Sequence, residues 1–430
     1  RDSTFSMINA TRGGAIFIEG NNSEIEGTFD KCFASNNGVP IVDSAGGAIY
    51  ISGNDNEVRN SIFNITRAVG GNGGAIYAGG SNNVINNIST QITIAIRNGP
   101  GDKGKGGAIY VEGDNVSIAD SKFITFSASD KGGVIYVAGD DLSIEACRFQ
   151  YGSSVDGGAI FIEGSNTIIT RSNFLDIGAE KGSDLNYTTS GGAVYIAGNN
   201  TKIIKNYFTH NNAGKGGSIY VSGEGTEISG SKFIELNAGY GAAIYVEGND
   251  TTIDSSLFNR IYVTYDGGSI YIGGENAYIA NSTFVYNNAS SKGGSIYISG
   301  DDSNIFNSSF LYAHTLLGGA IYISGDNAVV DESEFTYCKG NGTYEGGIGG
   351  AGGAIYVAGD NATISGSEFT NSISANYGGA IYVDGINANI AGSSFENCTA
   401  FRYNGGAIYV KGVNTTISDS NFTRNRVNIS

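Results

Sequence analysis

The stretch Gly13-Gly14-Ala15-Ile16-Phe17-Ile18-Glu19-Gly20 decides the fold, because the chain repeats it along its whole length. It returns as GGAIYISG at Gly46–Gly53 and, close to the other end, as GGAIYVKG at Gly405–Gly412. Fifteen copies are present, and in each copy the side chains alternate between two faces, as they do along a β-strand. A repeat of this kind indicates a solenoid, in which each repeat contacts only its neighbours.

Two further apolar positions follow every copy at fixed distances. Counted from Ile16, the next lies nine residues on, at Ile25, and is aliphatic in all fifteen copies. The third lies fourteen residues on and is Phe in thirteen copies, from Phe63 to Phe422. Three short strands cannot bury an apolar face alone, but stacked repeats can. We therefore predict an all-β fold, a right-handed parallel β-helix of about 15 coils with three strands per coil, formed by residues 1–430 as a single domain.

Turn residues and insertions fit this prediction. A Gly ends the first strand of every copy and is mostly followed by Asn or Asp, which suits a turn with positive φ. Four repeats are longer than the others, and their extra residues all follow the Phe strand. Insertions at one corner of a solenoid often form its binding edge. The four insertions are Asn36–Ala45, Arg97–Lys105, Gly178–Ser190 and Lys339–Ala351.

Charge and hydropathy exclude several classes of function. The net charge is −17, whereas nucleic acids and anionic membranes attract basic surfaces. No apolar run is long enough for a transmembrane helix, so we expect neither nucleic-acid binding nor membrane insertion. The four cysteines, Cys32, Cys147, Cys338 and Cys398, fall in different repeats. Since even the closest two are too far apart for a disulfide, we expect four unpaired, buried thiols.

The repeats resemble those of known surface proteins. A Phe-x-x-Asn element follows many Gly-Gly-Ala-Ile elements, as at Phe208–Asn211, Phe284–Asn287 and Phe422–Asn425, and the pair is similar to the repeats of chlamydial polymorphic outer-membrane proteins. The constant tyrosine, the Asn-rich turns and the many sequons more closely resemble adhesin-like surface proteins of methanogenic archaea. The resemblance implies a secreted β-helix on the extracellular face of the cell surface, and it carries over no catalytic residue.

The sequons predict glycosylation. In a secreted protein, Asn-x-Ser/Thr sites on turns accept glycans, and the alternative is that Asn, Ser and Thr are simply turn residues. The candidates are Asn64, Asn87, Asn115, Asn199, Asn249, Asn281, Asn307, Asn341, Asn361 and Asn414.

A column of aromatic residues in the first strand points away from the core. We expect it to form a surface aromatic ladder, which either stabilises the sheet by stacking or binds glycans or another fibre. Its tyrosines include Tyr50, Tyr110, Tyr136, Tyr220, Tyr245, Tyr271, Tyr297, Tyr322, Tyr356, Tyr382 and Tyr409.

A second column, just after the turn Gly, is acidic in four successive repeats. Calcium bridging of these carboxylates is one hypothesis, and a solvated acidic edge is the alternative. We expect no cofactor and no metal site, with calcium kept as the one open candidate. The four acids are Glu275, Asp301, Asp326 and Asp360.

An enzyme is the main alternative, because β-helices also host polysaccharide lyases and glycosidases. Catalysis there needs paired carboxylates or a basic residue in a cleft. The nearest pair is Glu24 with Glu57, and no acid is grouped with His210 or His314. Four lysines that precede Gly pairs are interpreted as solvated turns: Lys105, Lys131, Lys215 and Lys292. We therefore predict that the chain is not an enzyme and has no catalytic residue.

The sequence thus predicts an extracellular, adhesive β-helical rod that binds glycans or molecules on a host or neighbouring cell. Ser3-Thr4-Phe5 matches a third strand, so the repeat pattern begins within a coil. Neither end shows a capping element. We expect a chain uncapped at both ends, with covalent continuation into a longer adhesin favoured over head-to-tail association of subunits into a filament.

Overall fold

The chain forms a parallel β-solenoid of about 15 coils, in which three parallel sheets run along the coils. This computed structural model describes residues 3–35, 44–97, 104–179, 189–342 and 349–428. The predicted all-β parallel β-helix with three strands per coil is confirmed. Most residues of the four insertions, with their predicted binding edge, lie outside the described residues. The coils divide into two compact units, Arg1–Thr226 and Glu227–Ser430. No helix among the described residues could span a membrane.

Sheet I consists of the Gly-Gly-Ala-Ile strands. Equivalent residues face each other in register, as Ile49 faces Ile76 and Tyr50 faces Tyr77, so like side chains stack along each unit. In the first unit its strands are Ile16–Ile18, Ile49–Ile51, Ile76–Ala78, Ile109–Val111, Ile135–Val137, Ile160–Ile162, Val194–Ile196 and Ile219–Val221. In the second unit they are Ile244–Val246, Ile270–Ile272, Ile296–Ile298, Ile321–Ile323, Ile355–Val357, Ile381–Val383 and Ile408–Val410.

Sheet II carries the second aliphatic position, with Ile85 facing Val58 on one side and Ile118 on the other. In the first unit its strands are Glu24–Ile25, Glu57–Arg59, Val84–Asn86, Ser117–Ala119, Ser143–Glu145, Ile168–Thr170 and Lys202–Ile204. In the second unit they are Glu227–Ser229, Thr252–Asp254, Tyr278–Ala280, Asn304–Phe306, Val329–Asp331, Thr363–Ser365, Asn389–Ala391 and Thr416–Ser418.

Sheet III carries the Phe position, and each of its strands bends at a residue with positive φ. From Tyr207 onward the bend divides each strand into two shorter ones. In the first unit the strands are Ser3–Ala10, Gly27–Ser35, Ile62–Val69, Ser89–Ile96, Lys122–Ala128, Arg148–Ser154, Asn173–Ala179, Tyr207–Thr209 and Asn212–Lys215. In the second unit they are Lys232–Ile234, Asn237–Tyr240, Leu257–Asn259, Tyr262–Val263, Thr283–Val285, Asn288–Ala289, Ser309–Leu311, His314–Thr315, Glu334–Thr336, Lys339–Gly340, Glu368–Thr370, Ile373–Ser374, Ser394–Glu396, Thr399–Ala400, Asn421–Thr423 and Arg426–Val427. A short extra pair joins Ser44–Ala45 to Gly71–Asn72.

The core consists of three stacked columns, one from each sheet, as the spacing predicts. In one coil they are Ile49, Val58 and Phe63, and none of the three is exposed to solvent. The Phe rings stack nearly parallel, with 4.6 Å between the ring centroids of Phe258 and Phe284. Most rings lie between two others, although Thr90 takes the Phe position between Phe63 and Phe123. The stacking therefore defines most of the core along each unit as well as across each coil.

Polar side chains inside the coils form ladders of their own. A Ser stands two residues before most of the Phe residues. It accepts a hydrogen bond from the backbone N–H of the equivalent residue in the preceding coil, as Ser308 Oγ does from Ser282 N at 3.2 Å. It also donates to a carbonyl of its own coil, from Ser308 Oγ to Phe306 O at 3.0 Å. The buried turn between sheets II and III therefore has its backbone groups paired, which explains the repeated serine.

The Phe-x-x-Asn element is also structural. Asn287 accepts from Ile261 N and donates to Phe258 O, both at 3.2 Å, and so joins two coils just after the bend of sheet III. Cys338 takes the same place in its coil and donates to Phe310 O at 3.5 Å. All four cysteines are buried and unpaired, as predicted. Burial raises the pKa of the thiols of Cys147, Cys338 and Cys398 to about 12.

The Gly pair is required by the backbone. Gly46 has a φ of +61°, a backbone conformation that residues other than Gly rarely adopt. A side chain at Gly47 would place its Cβ 1.9 Å from the carbonyl oxygen of Gly74 in the next coil. The two glycines thus let neighbouring coils approach closely where sheet I begins.

Candidate binding surface

Each coil turns at residues in the left-handed conformation, and the residue types differ between corners. The corner before sheet I has a glycine, and the corner between sheets I and II has Asn, Asp or Gly in each coil. These types adopt positive φ at low cost. The bend within sheet III differs: its residues have φ between 52° and 60° but include large and β-branched side chains. We call this column the variable corner. It contains Met7, Lys31, Ile65, Ile92, Thr125, Tyr151, Asp176 and His210 in the first unit, and Glu235, Arg260, Tyr286, Tyr312, Tyr337, Asn371, Asn397 and Arg424 in the second.

Backbone conformation does not explain the residues of the variable corner. A left-handed residue other than Gly costs roughly 1–2 kcal/mol, and Asn would reduce that cost. Ile65 and Tyr151 nevertheless take this conformation with 40% and 53% of their surface exposed. Neither core packing nor turn geometry requires the side chains of Ile65 and Tyr151 at these positions. Strained residues with exposed side chains are candidates for function.

In the first unit, the variable corner brings a tyrosine, an acid and a histidine onto successive coils. The Nδ1 atom of His210 lies 3.3 Å from Oδ1 of Asp176. Tyr151 precedes Asp176 in the column, and its ring faces are not covered by a stack because its column neighbours are Thr125 and Asp176. Beside this column lie Tyr207, which is 37% exposed, and Gln150, which accepts from Arg148 at 2.9 Å. We call these residues the tyrosine–histidine patch: Arg148, Gln150, Tyr151, Asp176, Tyr207 and His210.

The sequence-based statement that no acid is grouped with His210 is therefore wrong. Asp176 and His210 are 34 residues apart in sequence, with an insertion between them. They meet because Phe174 faces Phe208 in the same sheet, and each polar residue lies two positions after its Phe. An alignment of the repeats on their Phe residues finds this pair from the sequence alone. His314 differs: it lies in register with Lys339, and burial together with that lysine lowers the pKa of its imidazole.

In the second unit, the variable corner carries three tyrosines on successive coils. The ring centroids of Tyr286 and Tyr312 are 4.8 Å apart, and those of Tyr312 and Tyr337 are 5.2 Å apart. The rings are nearly parallel, at 5° and 8°. Arg260 precedes them and pairs with Glu235 at 3.2 Å. We call Tyr286, Tyr312 and Tyr337 the tyrosine strip.

The aromatic column of sheet I does stack, with centroids 4.7 Å apart for Tyr50 and Tyr77, but it is not a surface ladder. The structure corrects that prediction, because the segment before each Gly pair covers the rings. Tyr377, for example, packs against Tyr382 and Tyr409. Six of the predicted members are buried: Tyr136, Tyr220, Tyr245, Tyr322, Tyr356 and Tyr382. The other five are half-buried: Tyr50, Tyr110, Tyr271, Tyr297 and Tyr409.

Lysines form part of this cover. The Nζ atom of Lys105 lies 4.1 Å from the ring centroid of Tyr136 and donates to its hydroxyl. Lys131 covers Phe161 in the same way at 4.2 Å. The interpretation of these lysines as solvated turns is therefore wrong, since their ammonium groups make cation–π contacts with the ladder. Burial raises the pKa of the ring hydroxyl of Tyr110 to about 12, with a further contribution from Glu112.

Most of the predicted glycosylation sites belong to ladders of exposed turn asparagines. The Nδ2 atom of Asn281 donates to Asp254 at 2.7 Å, and Asn307 donates to Asn281 at 2.7 Å. A side-chain amide has two N–H groups, so one remains for a glycan when the other joins the ladder. Four further candidates donate in the same way: Asn87, Asn115, Asn361 and Asn414. Two others, Asn199 and Asn249, accept a backbone N–H of the next coil. Asn64 is half-buried in sheet III, and Asn341 is exposed.

The acidic column also has a structural use. Asp301 accepts from Asp326 N and Asp326 accepts from Asp360 N, both at 2.8 Å, so each carboxylate pairs a backbone N–H of the next coil. The described residues contain no group of three or more His, Cys, Asp or Glu side chains that could hold a metal ion. Calcium binding stays a hypothesis. The other acidic pair, Glu24 and Glu57, lies in register, and Arg59 contacts both carboxylates.

No protein-family model and no curated protein matches the chain. Solved structures do match, and they include PL6 alginate lyases. One is a PL6 alginate lyase in complex with a trisaccharide, and it is 13% identical to this chain. The alignment covers 84% of this chain and 80% of the lyase chain, with a TM-score of 0.48. A variant of the PL6 alginate lyase AlyGC is 9% identical to this chain. That alignment covers 100% of this chain and 78% of the lyase chain, with a TM-score of 0.26. This finding contradicts the prediction that the chain is not an enzyme, and we withdraw that prediction. At these values the likeness assigns no activity to the chain.

Proposed function

We propose that the chain is an extracellular β-helical rod of the cell surface that binds polysaccharide through the tyrosine–histidine patch. The observation that carries the proposal is Tyr151, an exposed ring held at positive φ with no aromatic neighbour in its column. Binding sites combine an apolar or aromatic surface with a few placed polar groups, and the patch has both. In this proposal the exposed sequon asparagines carry glycans, which mass spectrometry of the native protein tests.

The chemistry of the patch suits a neutral sugar chain. A sugar ring packs its C–H face on the face of Tyr151, while its hydroxyl groups exchange hydrogen bonds with Asp176, His210 and Gln150. Tyr151, Asp176 and His210 lie on three successive coils, so an extended chain contacts several of them at once. The net charge of −17 disfavours a strongly acidic polysaccharide as the main ligand.

A glycan array with the intact protein and the Tyr151→Ala variant tests this proposal. We expect the variant to lose binding, because it removes the ring and keeps the coil. Tyr278→Ala is the matched control, since Tyr278 is 41% exposed but lies on sheet II of the second unit. Equal loss of binding in both variants, or unchanged binding in Tyr151→Ala, would contradict the assignment of the patch.

A second candidate function is supported by the His210–Asp176 pair. A histidine oriented by a carboxylate is a typical general base. In a polysaccharide lyase such a base removes the proton next to a uronate carboxyl group. The glycosidic C–O bond then breaks as a C=C bond forms, and a hydroxyl such as that of Tyr151 gives its proton to the leaving oxygen. Since His210 is about half exposed, a bound chain can reach it.

The two candidates are separated by His210→Gln. In the enzyme, this variant loses the rise in ultraviolet absorbance that comes from the unsaturated product, and it still binds polysaccharide. Asp176→Asn is the positioning control, and we expect it to lower the rate and alter its pH profile. If the intact protein binds polysaccharides and releases no unsaturated product from any uronate polymer, the lyase candidate fails and the binding proposal stands.

A further inference from the structure

The tyrosine strip has an organisation that differs from the patch of the first unit. Tyr286, Tyr312 and Tyr337 are 49%, 40% and 47% exposed. Because the rings stack face to face, the strip presents ring edges and hydroxyl groups rather than open faces. Exposed aromatic surface of this kind marks interaction sites, and tyrosine is typical of protein interfaces. The neighbouring Val285 and Leu311 on the same coils are half-buried and extend the apolar surface.

The spacing of the strip restricts its partner. A rigid partner that engages all three rings has to repeat every 4.8–5.2 Å along a straight line. Successive coils of a β-solenoid have this repeat, since it is the distance between neighbouring strands. The strip of a second copy of this chain therefore has the same spacing between its rings. We infer that the tyrosine strip joins two copies side by side and antiparallel, about a twofold axis at Tyr312.

The charges beside the strip favour the antiparallel arrangement. Arg260 lies two coils before Tyr312, and Glu368 lies two coils after it. A twofold axis at Tyr312 brings the coil of Arg260 in one copy opposite the coil of Glu368 in the other, where Asn371 is the direct counterpart of Arg260 and Glu368 lies three residues before it. One coil further out, the coil of Lys232 is brought opposite the coil of Glu396. In a parallel arrangement Arg260 would face Arg260 of the other copy, and like charges repel.

These charged side chains are available for such contacts. Arg260 and Glu396 have 59% and 54% of their side-chain surface exposed. Each also has a partner within its own copy, Glu235 for Arg260 and Arg424 for Glu396. The contacts across the axis therefore select orientation more than they add affinity. Three tyrosines from each copy cover less than the ~800 Å² per partner of a standard interface, so we expect a weak, concentration-dependent dimer.

Sedimentation equilibrium of the unglycosylated protein tests the dimer. We expect Tyr286→Ser/Tyr312→Ser/Tyr337→Ser to raise the dimer dissociation constant at least about tenfold, as loss of interface tyrosines does. The matched control is Tyr262→Ser/Tyr278→Ser, which removes tyrosines that are 51% and 41% exposed outside the strip. Circular dichroism confirms that both variants are folded. A wild-type protein that stays monomeric at all concentrations overturns the inference, and so does an unaffected triple variant.

Charge reversal and cross-linking test the orientation. We expect Arg260→Glu and Glu368→Arg each to weaken the dimer and the double variant to restore it, because the two charges then exchange places. Tyr312→Cys should form a disulfide-linked dimer by itself, whereas Tyr286→Cys should do so only when mixed with Tyr337→Cys. The four native thiols are buried and do not interfere. If Tyr286→Cys links to itself as readily as Tyr312→Cys, the copies are parallel and the antiparallel assignment is wrong.

Discussion

Replacement of Ile244 by Asp tests the stacked core, and the expected loss of stability depends on pH. Ile244 is fully buried in the sheet I column, facing Ile270 in the next coil. Loss of the isoleucine side chain costs about 2–5 kcal/mol. Aspartate has an ordinary pKa of about 3.9, so keeping its carboxyl group neutral in the core at pH 7 costs a further ~4 kcal/mol, at about 1.36 kcal/mol per pH unit.

The sign of the pH dependence follows from burial, which raises the pKa of the carboxyl group in the folded state above its value in the unfolded chain. The charge-dependent part of the loss is therefore nearly absent at pH 4 and grows as the pH rises to 7. Ile244→Asn is the matched control, because it has the same size and polarity without a titrating group.

Urea denaturation followed by circular dichroism, at pH 4 and at pH 7, measures this difference. Relative to the wild type at each pH, we expect Ile244→Asp to lose several kcal/mol more at pH 7 than at pH 4, and Ile244→Asn to lose similar amounts at both. An Ile244→Asp protein as stable as the wild type would refute the stacked core. A loss that is the same at both pH values would refute the charge argument.

Three other outcomes follow from the same ladders. Thiol labelling without reductant should modify four cysteines after denaturation and almost none in the native protein, since Cys338 and its equivalents are buried with a raised pKa. Ser308→Ala should cost about 1–3 kcal/mol, because it leaves the buried Ser282 N–H unpaired, and urea unfolding checks this against the exposed Ser255→Ala. The raised pKa of about 12 for Tyr110 and Tyr245 predicts stability that is complete below pH 10 and is lost between pH 10 and 12, as a spectroscopic tyrosine titration with circular dichroism would show.

The fold could be predicted because its determinants are periodic. The columns of Ile16, Ile25 and Phe63 recur at constant distances, and each column corresponds to one sheet. The bend of sheet III could not be predicted in the same way. Its left-handed residues include Ile65 and Ile92, whose types disfavour positive φ. A search for Gly, Asn and Asp finds the corners on either side of sheet I and most positions of the corner between sheets II and III, but it passes over most residues of this bend.

The candidate site was missed for a related reason. Residues such as Asp176 and His210 have no local motif, and only the register of sheet III brings them together. The predicted aromatic ladder shows the opposite error. Strand alternation correctly directs Tyr136 and Tyr382 away from the main core, but a residue outside the core is not necessarily exposed. Segments far along the coil, such as those of Lys105 and Tyr377, fold over the rings.

The ladders help to distinguish residues that the fold requires from residues that are candidates for function. Where a residue stacks on its own kind, as Ser308 does on Ser333 or Phe310 on Phe335, its identity is explained by its two neighbours. At the variable corner, Tyr151 follows Thr125 and precedes Asp176, so neighbouring coils do not explain it. Departure from the neighbouring coils, at a position where the backbone itself favours Asn or Gly, is therefore one feature that marks a candidate polysaccharide-binding residue. That criterion selects the tyrosine–histidine patch and excludes the aromatic ladder of sheet I, although the ladder is the more conspicuous feature of the sequence.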